Sequence, residues 1–535
     1  MRRVIIALLS LAAASQAAEQ KKIDAEVRSI TESAILIDTH NDIPSFTIDG
    51  ADIGNSSKTH TDIQRLRAGG VGAVFFSVYV ASTFVEGNHS ANRALKMIDT
   101  VYQDIIARYP QYFTLALTGD DIEKAHREHK IAALMGLEGG HAIENSPRLL
   151  RDYYRLGIRY MTLTHTNTND WADSSGDITE ANVSHHNGLT PLGKDVIREM
   201  NRLGMMVDIS HVSDKTFFDA LATSEAPLIA SHSDCRAISN VPRNMTDEMI
   251  KALAAKGGVI QLSVNCSFVS QKSADANRAS PLSERYAEVR RLYKNDPDRL
   301  QQELNGLEQE DKKYQIRATL DDVIANIDHV RQIAGIDSIG IGTDFDGVIC
   351  TPTGLDDVSK FPNLTRALLE KGYTPGEIRK IYGENTLRLM RQVEAVARRL
   401  SASQSNQGQT AMKIEFKRTG GFSPITNASG VVEFKDGSAQ VISPAASYER
   451  SLTAEEAAHL QSIAAPGKLE SATASPSHDR SRDAFQYQVT ITTKDGKQQT
   501  FNSAELEQLS PEANQLFTWV QKESQKILAH KAGNR

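Results

Sequence analysis

Cysteine is scarce, with three in 535 residues. Three thiols cannot all pair within one chain, so a disulfide-built scaffold is excluded. No C-x-x-C pair occurs, which leaves no thiolate spacing of the kind that holds a metal. An excess of positive charge is lacking too. Sixty Lys+Arg against 67 Asp+Glu give a formal charge of −7, so no basic field invites nucleic acid or an anionic membrane. Long apolar runs are missing as well. The stretch Val4–Ala14 falls well short of the roughly 20 residues that span a bilayer. What remains is ordinary: 40% hydrophobic and 24% charged residues, a globular balance in a chain long enough for more than one domain.

The first 17 residues read as a secretory signal peptide. Arg2 and Arg3 are basic, Val4–Ala14 is apolar, and Ser15-Gln16-Ala17 is a small-x-small cleavage signal. The alternative is an uncleaved anchor, for which the apolar run is short. No Cys follows for a lipid anchor, and the polar end His530–Arg535 is unlike a GPI signal. The expectation is an exported protein, periplasmic or secreted, with no stable membrane anchor.

From residue 24 to about 400 the chain alternates short apolar runs with longer amphipathic stretches. Eight runs are strand candidates: 34–38, 71–80, 131–137, 158–164, 205–209, 226–230, 259–264 and 338–342. Most are near-continuously hydrophobic, as parallel strands buried on both faces are. Eight β-then-α units predict a (β/α)8 TIM barrel, with a doubly wound open sheet as the rival. A charged, helix-prone insertion follows the seventh run, at about 270–317. The polar stretch 401–410, SASQSNQGQT, reads as a linker. Residues 411–535 read as a second, α+β domain, with strands near Met412–Arg418, Gly430–Phe434 and Phe485–Thr493 and helices at Ala454–Ile463 and Pro511–Ile527.

In such a barrel the active site lies at the C-terminal ends of the strands. Polar residues collect there: His40-x-Asp42, Glu138, His165, His211, His232 and Asp344. One or two could fall there by chance; six strand ends form a set. Imidazole and carboxylate donors suit a pair of zinc ions, and a carboxylate can bridge two ions. His40 and Asp42, two apart, can aim at one ion from one strand face. His211 and His232 can hold the second, with Glu138 between the two. A water held by both ions becomes a hydroxide nucleophile near neutral pH. Each residue also has a structural alternative: Glu138 before Gly139-Gly140 could cap a turn, and Asp344 and Asp346 could both serve theirs. One of that aspartate pair is expected to be chemical. His141, His185 and His186 lack strand-end placement and read as loop residues. The cysteines Cys235, Cys266 and Cys350 follow strands six, seven and eight and are expected to be unpaired, with a Cys235–Cys266 bridge as the next choice.

At these residues the sequence resembles the renal (membrane) dipeptidase family of binuclear zinc peptidases. The matching stretches include DTHNDIP at Asp38–Pro44, GLEGGHAIE at Gly136–Glu144, VDISHVS at Val207–Ser213, APLIASHSDCRAISNVPRN at Ala226–Asn244 and IGIGTDFDGV at Ile339–Val348. The resemblance implies two zinc ions per chain, one held by His40 and Asp42 and the other by His211 and His232, bridged by Glu138. It further implies that His165 polarises the scissile carbonyl and that Arg243 receives the substrate's terminal carboxylate. Asp344 then moves a proton from water to the leaving amine. The implied substrate is a dipeptide, in some members with a D-residue at the C-terminal position, and members are commonly homodimers. A related amidohydrolase acting on another small amide is the alternative. The C-terminal domain resembles emfourin-type inhibitors through MKIEFKRTGGFSPI at Met412–Ile425 and SPEANQLFTWVQK at Ser510–Lys522, which implies a metallopeptidase partner.

Overall fold

Apolar runs of five to ten residues can hide both faces only when helices cover them, and the chain solves that requirement by closing the strands into a ring. The computed structural model describes residues 19–293, 296–408, 411–419, 427–435, 438–464, 486–493, 496–502 and 510–533. The segment 1–17, expected to be a signal peptide, lies outside them. The chain divides into two units, Met1–Arg398 and Arg399–Arg535.

The first unit is an eight-stranded parallel barrel. Its staves are β1 (Leu36–Asn41), β2 (Val71–Tyr79), β4 (Ile131–Glu138), β5 (Ile158–Thr162), β6 (Met206–Asp208), β7 (Ile229–Ala230), β8 (Val259–Leu262) and β9 (Ile339–Ile341). Pairing of β1 with both β2 and β9 closes the ring. A ninth, short strand, β3 (Phe113–Leu115), runs beside Ile131–Ala133 of β4, below the point where β5 begins at Met135. The eight expected runs are therefore the eight staves, and the open-sheet rival is excluded.

Period-two alternation sorts each stave. On β4, Ala132 and Leu134 face the barrel interior with Phe75, Tyr160, Met206 and Val259. Ala133 and Met135 face the helices. Glycines set the inner layers: a Cβ on Gly136 would lie 1.9 Å from the Tyr160 ring, and one on Gly340 would lie 1.7 Å from Gln261. Large side chains fill the space that the missing Cβ leaves. Asp and Thr caps start the outer helices, as Thr118 does with a capping box at Gly119–Arg127.

The insertion after β8 is helical, as its composition predicts: Gln271–Arg278, Ser283–Leu292 and Pro297–Asp311. Two details differ from what the sequence suggests. The helix Asn385–Gly408 runs through the first eight residues of the expected linker, because that stretch holds no proline and no glycine before Gly408 to stop propagation. The remaining two linker residues lie outside the described residues. The cysteine expectation is also overturned: Cys266 and Cys350 form a disulfide, and Cys235 is the buried free thiol. The reason is topological. β8 and β9 are neighbours, so the loops leaving them run side by side, and the Cys266 N–H donates to Cys350 O at 3.2 Å.

The second unit is a six-stranded antiparallel sheet in the order β13-β12-β11-β10-β14-β15. Its strands are β10 (Ala411–Thr419), β11 (Ala428–Lys435), β12 (Ser438–Ser443), β13 (Tyr448–Ser451), β14 (Gln486–Thr493) and β15 (Gln498–Asn502). Helices Ala454–Ile463 and Pro511–Gly533 bury Leu460, Leu516 and Val520 against Ile414, Phe416, Val432 and Val489. Inside this unit Glu523 is buried and charge-paired, taking Arg450 Nη2 at 3.0 Å and the Tyr448 hydroxyl at 2.9 Å.

The disulfide closes a loop of 84 residues that contains the whole insertion. Replacing Cys350 with serine is expected to lower barrel stability by about 2–4 kcal/mol. Urea unfolding of the full chain, with and without reductant, measures it. Reduced wild type should then behave like the variant.

Candidate metal centre

Six stave ends converge on one carboxylate. Glu138 ends β4 and is buried to 3% exposure, where a charged group needs partners or it neutralises. Its two oxygens face different groups. Oε2 lies 3.4 Å from His40 Nε2, which itself stands 3.2 Å from Asp42 Oδ2. Oε1 lies 3.1 Å from His211 Nε2 and 3.3 Å from His232 Nε2. His165 approaches the same oxygen at 3.7 Å. Asp344 Oδ1 stands 4.0 Å from His40 Nε2 on the far side. Every residue that the sequence placed at a stave end is brought into this cluster.

The ligand orientations are fixed from behind. Tyr160 donates its hydroxyl to Thr39 O at 3.1 Å and faces His40 Nδ1 at 2.7 Å. With that hydroxyl proton spent, His40 Nδ1 is the donor and Nε2 is turned towards the carboxylates. Burial opposes charge on the ring, but Tyr160, Glu138 and Asp42 outweigh it and hold His40 well above the ordinary histidine range. Ser231 repeats the device: its hydroxyl donates to Asp208 Oδ2 at 2.6 Å, so His232 Nδ1, 2.8 Å away, donates to it. Asp208 is buried on β6 and also accepts from Thr162 Oγ1 at 2.6 Å. Ser77 on β2 donates to Glu138 Oε2 at 3.2 Å. The register of β1 against β2 shifts between Asp38 and Asn41, an irregularity of the kind that re-aims side chains, and it falls beside His40.

These donors fit a metal pair. Among the described residues, the buried His40 Nε2 has no hydrogen-bond partner, yet carboxylates flank it. His211 Nε2 and His232 Nε2 face each other at 2.9 Å, two nitrogens aimed at one point beside Glu138. Three donor groups with atoms within 4.8 Å of one another share these residues: His40, Glu138 and His232; Glu138, His165 and His211; His40, Asp42 and Asp344. Burial, then His40 and Arg243, hold His232 well below the ordinary histidine range. Burial, then Arg243 and His165, do the same to His211. Neutral imidazole is the ligating form. Burial opposes the charge on Glu138, but His40, His165, His211 and His232 outweigh it and hold the carboxylate well below its usual range.

A model of the family described as membrane dipeptidase, peptidase family M19, matches residues 24–404. The chain belongs to the membrane dipeptidase family. A second model, emfourin, matches residues 416–521, within the C-terminal domain. Dipeptidase verJ of Clonostachys rogersoniana is 38% identical over 381 residues, which is 68% of this chain and 86% of that protein. Dipeptidase tcpJ of Claviceps purpurea is 37% identical over 344 residues, 63% of this chain and 70% of that one. The barrel fold is shared with the probable dipeptidase PvdM of Pseudomonas aeruginosa at TM-score 0.61 and 23% identity, over 70% of this chain and all of that one. It is also shared with a metallo peptidase from Rhodobacter sphaeroides liganded with a phosphinate mimic of L-Ala-D-Ala, at TM-score 0.55 and 22% identity, over 68% and 100%.

Around the metal centre of this membrane dipeptidase family member stand the remaining expected residues. Arg243 leaves the loop after β7 with Nη1 on Ser233 Oγ at 2.7 Å and Nη2 on His232 O at 2.6 Å, while its buried Nε has no partner among the described residues. His165 lies between Tyr79 and His211, with ring centroids at 4.8 and 4.4 Å. His141, by contrast, donates from Nε2 to Val80 O at 2.9 Å, and His186 donates from Nε2 to Asn169 O at 2.8 Å. His186 is a loop residue, as expected, whereas His141 falls within the short 3-10 helix Gly140–Ile143. The sequence reading missed Tyr160, Ser77, Ser231 and Asp208. Their signal was present, since Ser77, Tyr160 and Asp208 lie on interior-facing positions near stave ends, where a polar residue needs a reason.

Tyr160→Phe keeps the packing on Phe75 and removes the hydroxyl, and with it the acceptor for His40 Nδ1–H and the donor to Thr39 O. It is expected to weaken metal binding about 10- to 100-fold with little change in melting temperature. Competition against a chelator measures the first, and thermal unfolding the second.

Proposed function

We propose that the barrel hydrolyses the peptide bond of dipeptides with two zinc ions bound, one at His40 and Asp42 and the other at His211 and His232, with Glu138 shared. The observation that carries this reading is the division of the Glu138 oxygens between the two donor pairs. When bound, the ions supply Lewis acidity and bring a water near neutral pKa.

The chain's own residues do the rest. Arg243 offers its unpartnered Nε–H and remaining guanidinium hydrogens to the substrate's terminal carboxylate, a contact that suits a planar fork. Ser233 and His232 O hold that fork in place, so little side-chain freedom is lost on binding. His165 has its pKa lowered, by burial first, so a neutral N–H is available to the carbonyl oxygen as negative charge develops there. Asp344 is pushed well above the usual carboxylate range by burial, with Asp42 and Glu138 adding to it against His40 and Arg243. Such a group can take the proton of the attacking water and hand it to the departing amine.

Two further parts of the reading concern the whole chain. A disulfide persists in oxidising compartments, so Cys266–Cys350 supports export to a periplasm or beyond the cell, as the first 17 residues suggest. Among the described residues, no helix is long and apolar enough to cross a membrane. The emfourin match supports a second role for residues 411–535 in binding a metallopeptidase. The test is inhibition of a thermolysin-like protease by the full chain, and no inhibition at large molar excess removes that role. A homodimer is the assembly that family resemblance suggests, and light scattering decides it.

Purified mature protein should contain two zincs per chain and cleave L,L dipeptides, with L,D dipeptides as a parallel arm. Full metal occupancy without cleavage of either would remove the substrate assignment. Arg243→Lys is expected to raise KM about 10- to 100-fold, the loss of one charged hydrogen-bonded contact, with kcat changed far less. A dipeptide with its C-terminus amidated should bind poorly to the wild type and be insensitive to that substitution.

A further inference from the structure

The turn that carries Asp344 is held in an uncommon conformation. Asp344 and Asp346 both have positive φ, 63° and 69°, a region that residues other than glycine keep only where their surroundings impose it. The barrel imposes part of it. The Asp344 N–H donates to His40 O at 3.0 Å, the Asp42 N–H to Phe345 O at 2.8 Å, and the Gly347 N–H to Asp344 O at 3.1 Å. Gly347 has no space for a side chain, since a Cβ there would lie 2.3 Å from Asp42 Oδ2 and 2.5 Å from Asp344 Oδ1.

The other side of the turn meets His60, in the segment before the helix Ile63–Ala68. His60 grips Asp346 twice. Its backbone N–H donates to Asp346 Oδ1 at 2.5 Å, and the Asp346 N–H donates to His60 Nδ1 at 3.1 Å. The His60 ring lies 5.6 Å from that of Phe345. Its carbonyl accepts from the Val358 N–H at 3.3 Å, so the histidine is itself anchored. Nδ1 can accept only while the imidazole is neutral. Burial, then Lys312 and Arg65, with Arg317 in the same sense and Asp357 opposing, bring its pKa down to about 4.

We propose that His60 is a positioning residue for the hydrolysis: by clamping Asp346 it fixes the Asp344–Gly347 turn and so aims the Asp344 carboxyl at the reacting atoms. This rests on the reading of Asp344 given under the proposed function. The chemistry supplies a readout that a merely structural role would not move. An amine leaving a peptide carbon must receive a proton as the C–N bond breaks, whereas the alcohol of an isosteric ester departs with far less need of one. A misaimed Asp344 therefore penalises the amide more than the ester.

The experiment compares a dipeptide with its depsipeptide (ester) analogue in wild type, His60→Gln and His60→Asn, with metal content measured for each. Asn places an oxygen where Nδ1 stands and can accept the Asp346 N–H; Gln keeps the bulk but displaces the acceptor. His60→Gln should lose about 100-fold in kcat on the dipeptide and under about 5-fold on the ester, the range of a displaced proton-transfer group. KM and metal content should stay close to wild type, and His60→Asn should recover most of the dipeptide activity. Equal losses on both substrates, loss of metal, or an Asn variant no better than Gln would each overturn the role of His60. Absence of dipeptide cleavage by the wild type would instead remove the reading of the whole site.

Discussion

A carboxylate buried at the end of β4 organises this barrel. Glu138 is nearly inaccessible to water, and a lone charge there would cost several kcal/mol. Its stability depends on what five other staves bring to it. Three imidazoles, of His165, His211 and His232, meet one oxygen and that of His40 meets the other, and the division comes from the order of the staves around the ring. β1 lies on one side of the cluster, with β6 and β7 on the other. The same residues that satisfy the charge form three overlapping groups of nitrogen and oxygen donors, the atoms of each within 4.8 Å of one another, a set suited to cations.

Behind this cluster lies a second layer of buried acceptors. Asp208, Tyr160 and Ser231 fix which nitrogen of His40 and His232 carries the proton. Asp38, with its pKa raised to about 6 by burial, accepts from Thr343 N–H and Oγ1 at 2.8 and 2.7 Å and ties β1 to the loop that carries Asp344. Polar groups inside a barrel specify one arrangement when all are satisfied and are costly when they are not. The glycines at 136 and 340 belong to this logic, because they make the room that lets Tyr160 and Gln261 lie across the interior.

The staves and donor set were legible in the sequence because both follow short-range rules. A buried parallel strand is a run of apolar residues, and a residue at its C-terminal end faces the mouth. What needed the structure depends on neighbours in space. The Cys266–Cys350 pair follows from β8 lying beside β9, so the ring order names it while linear spacing does not. His60 sits in a loop some 20 residues beyond β1 with no motif around it, and its partner is 286 positions away. In the second unit, β12, β13 and β15 escaped notice because strands such as SAQVIS and QQTFN alternate small or polar residues with few large apolar ones. The stretch expected as a linker is helical through Gly408 despite its polar composition, because no proline or earlier glycine interrupts the helix.

The most direct test of this account is anomalous diffraction at the zinc edge from crystals of zinc-loaded protein. The account predicts two peaks about 3.5–4 Å apart, one against Glu138 Oε2 with His40 and Asp42, the other against Oε1 with His211 and His232. A single peak, or two peaks that do not share Glu138, would contradict it.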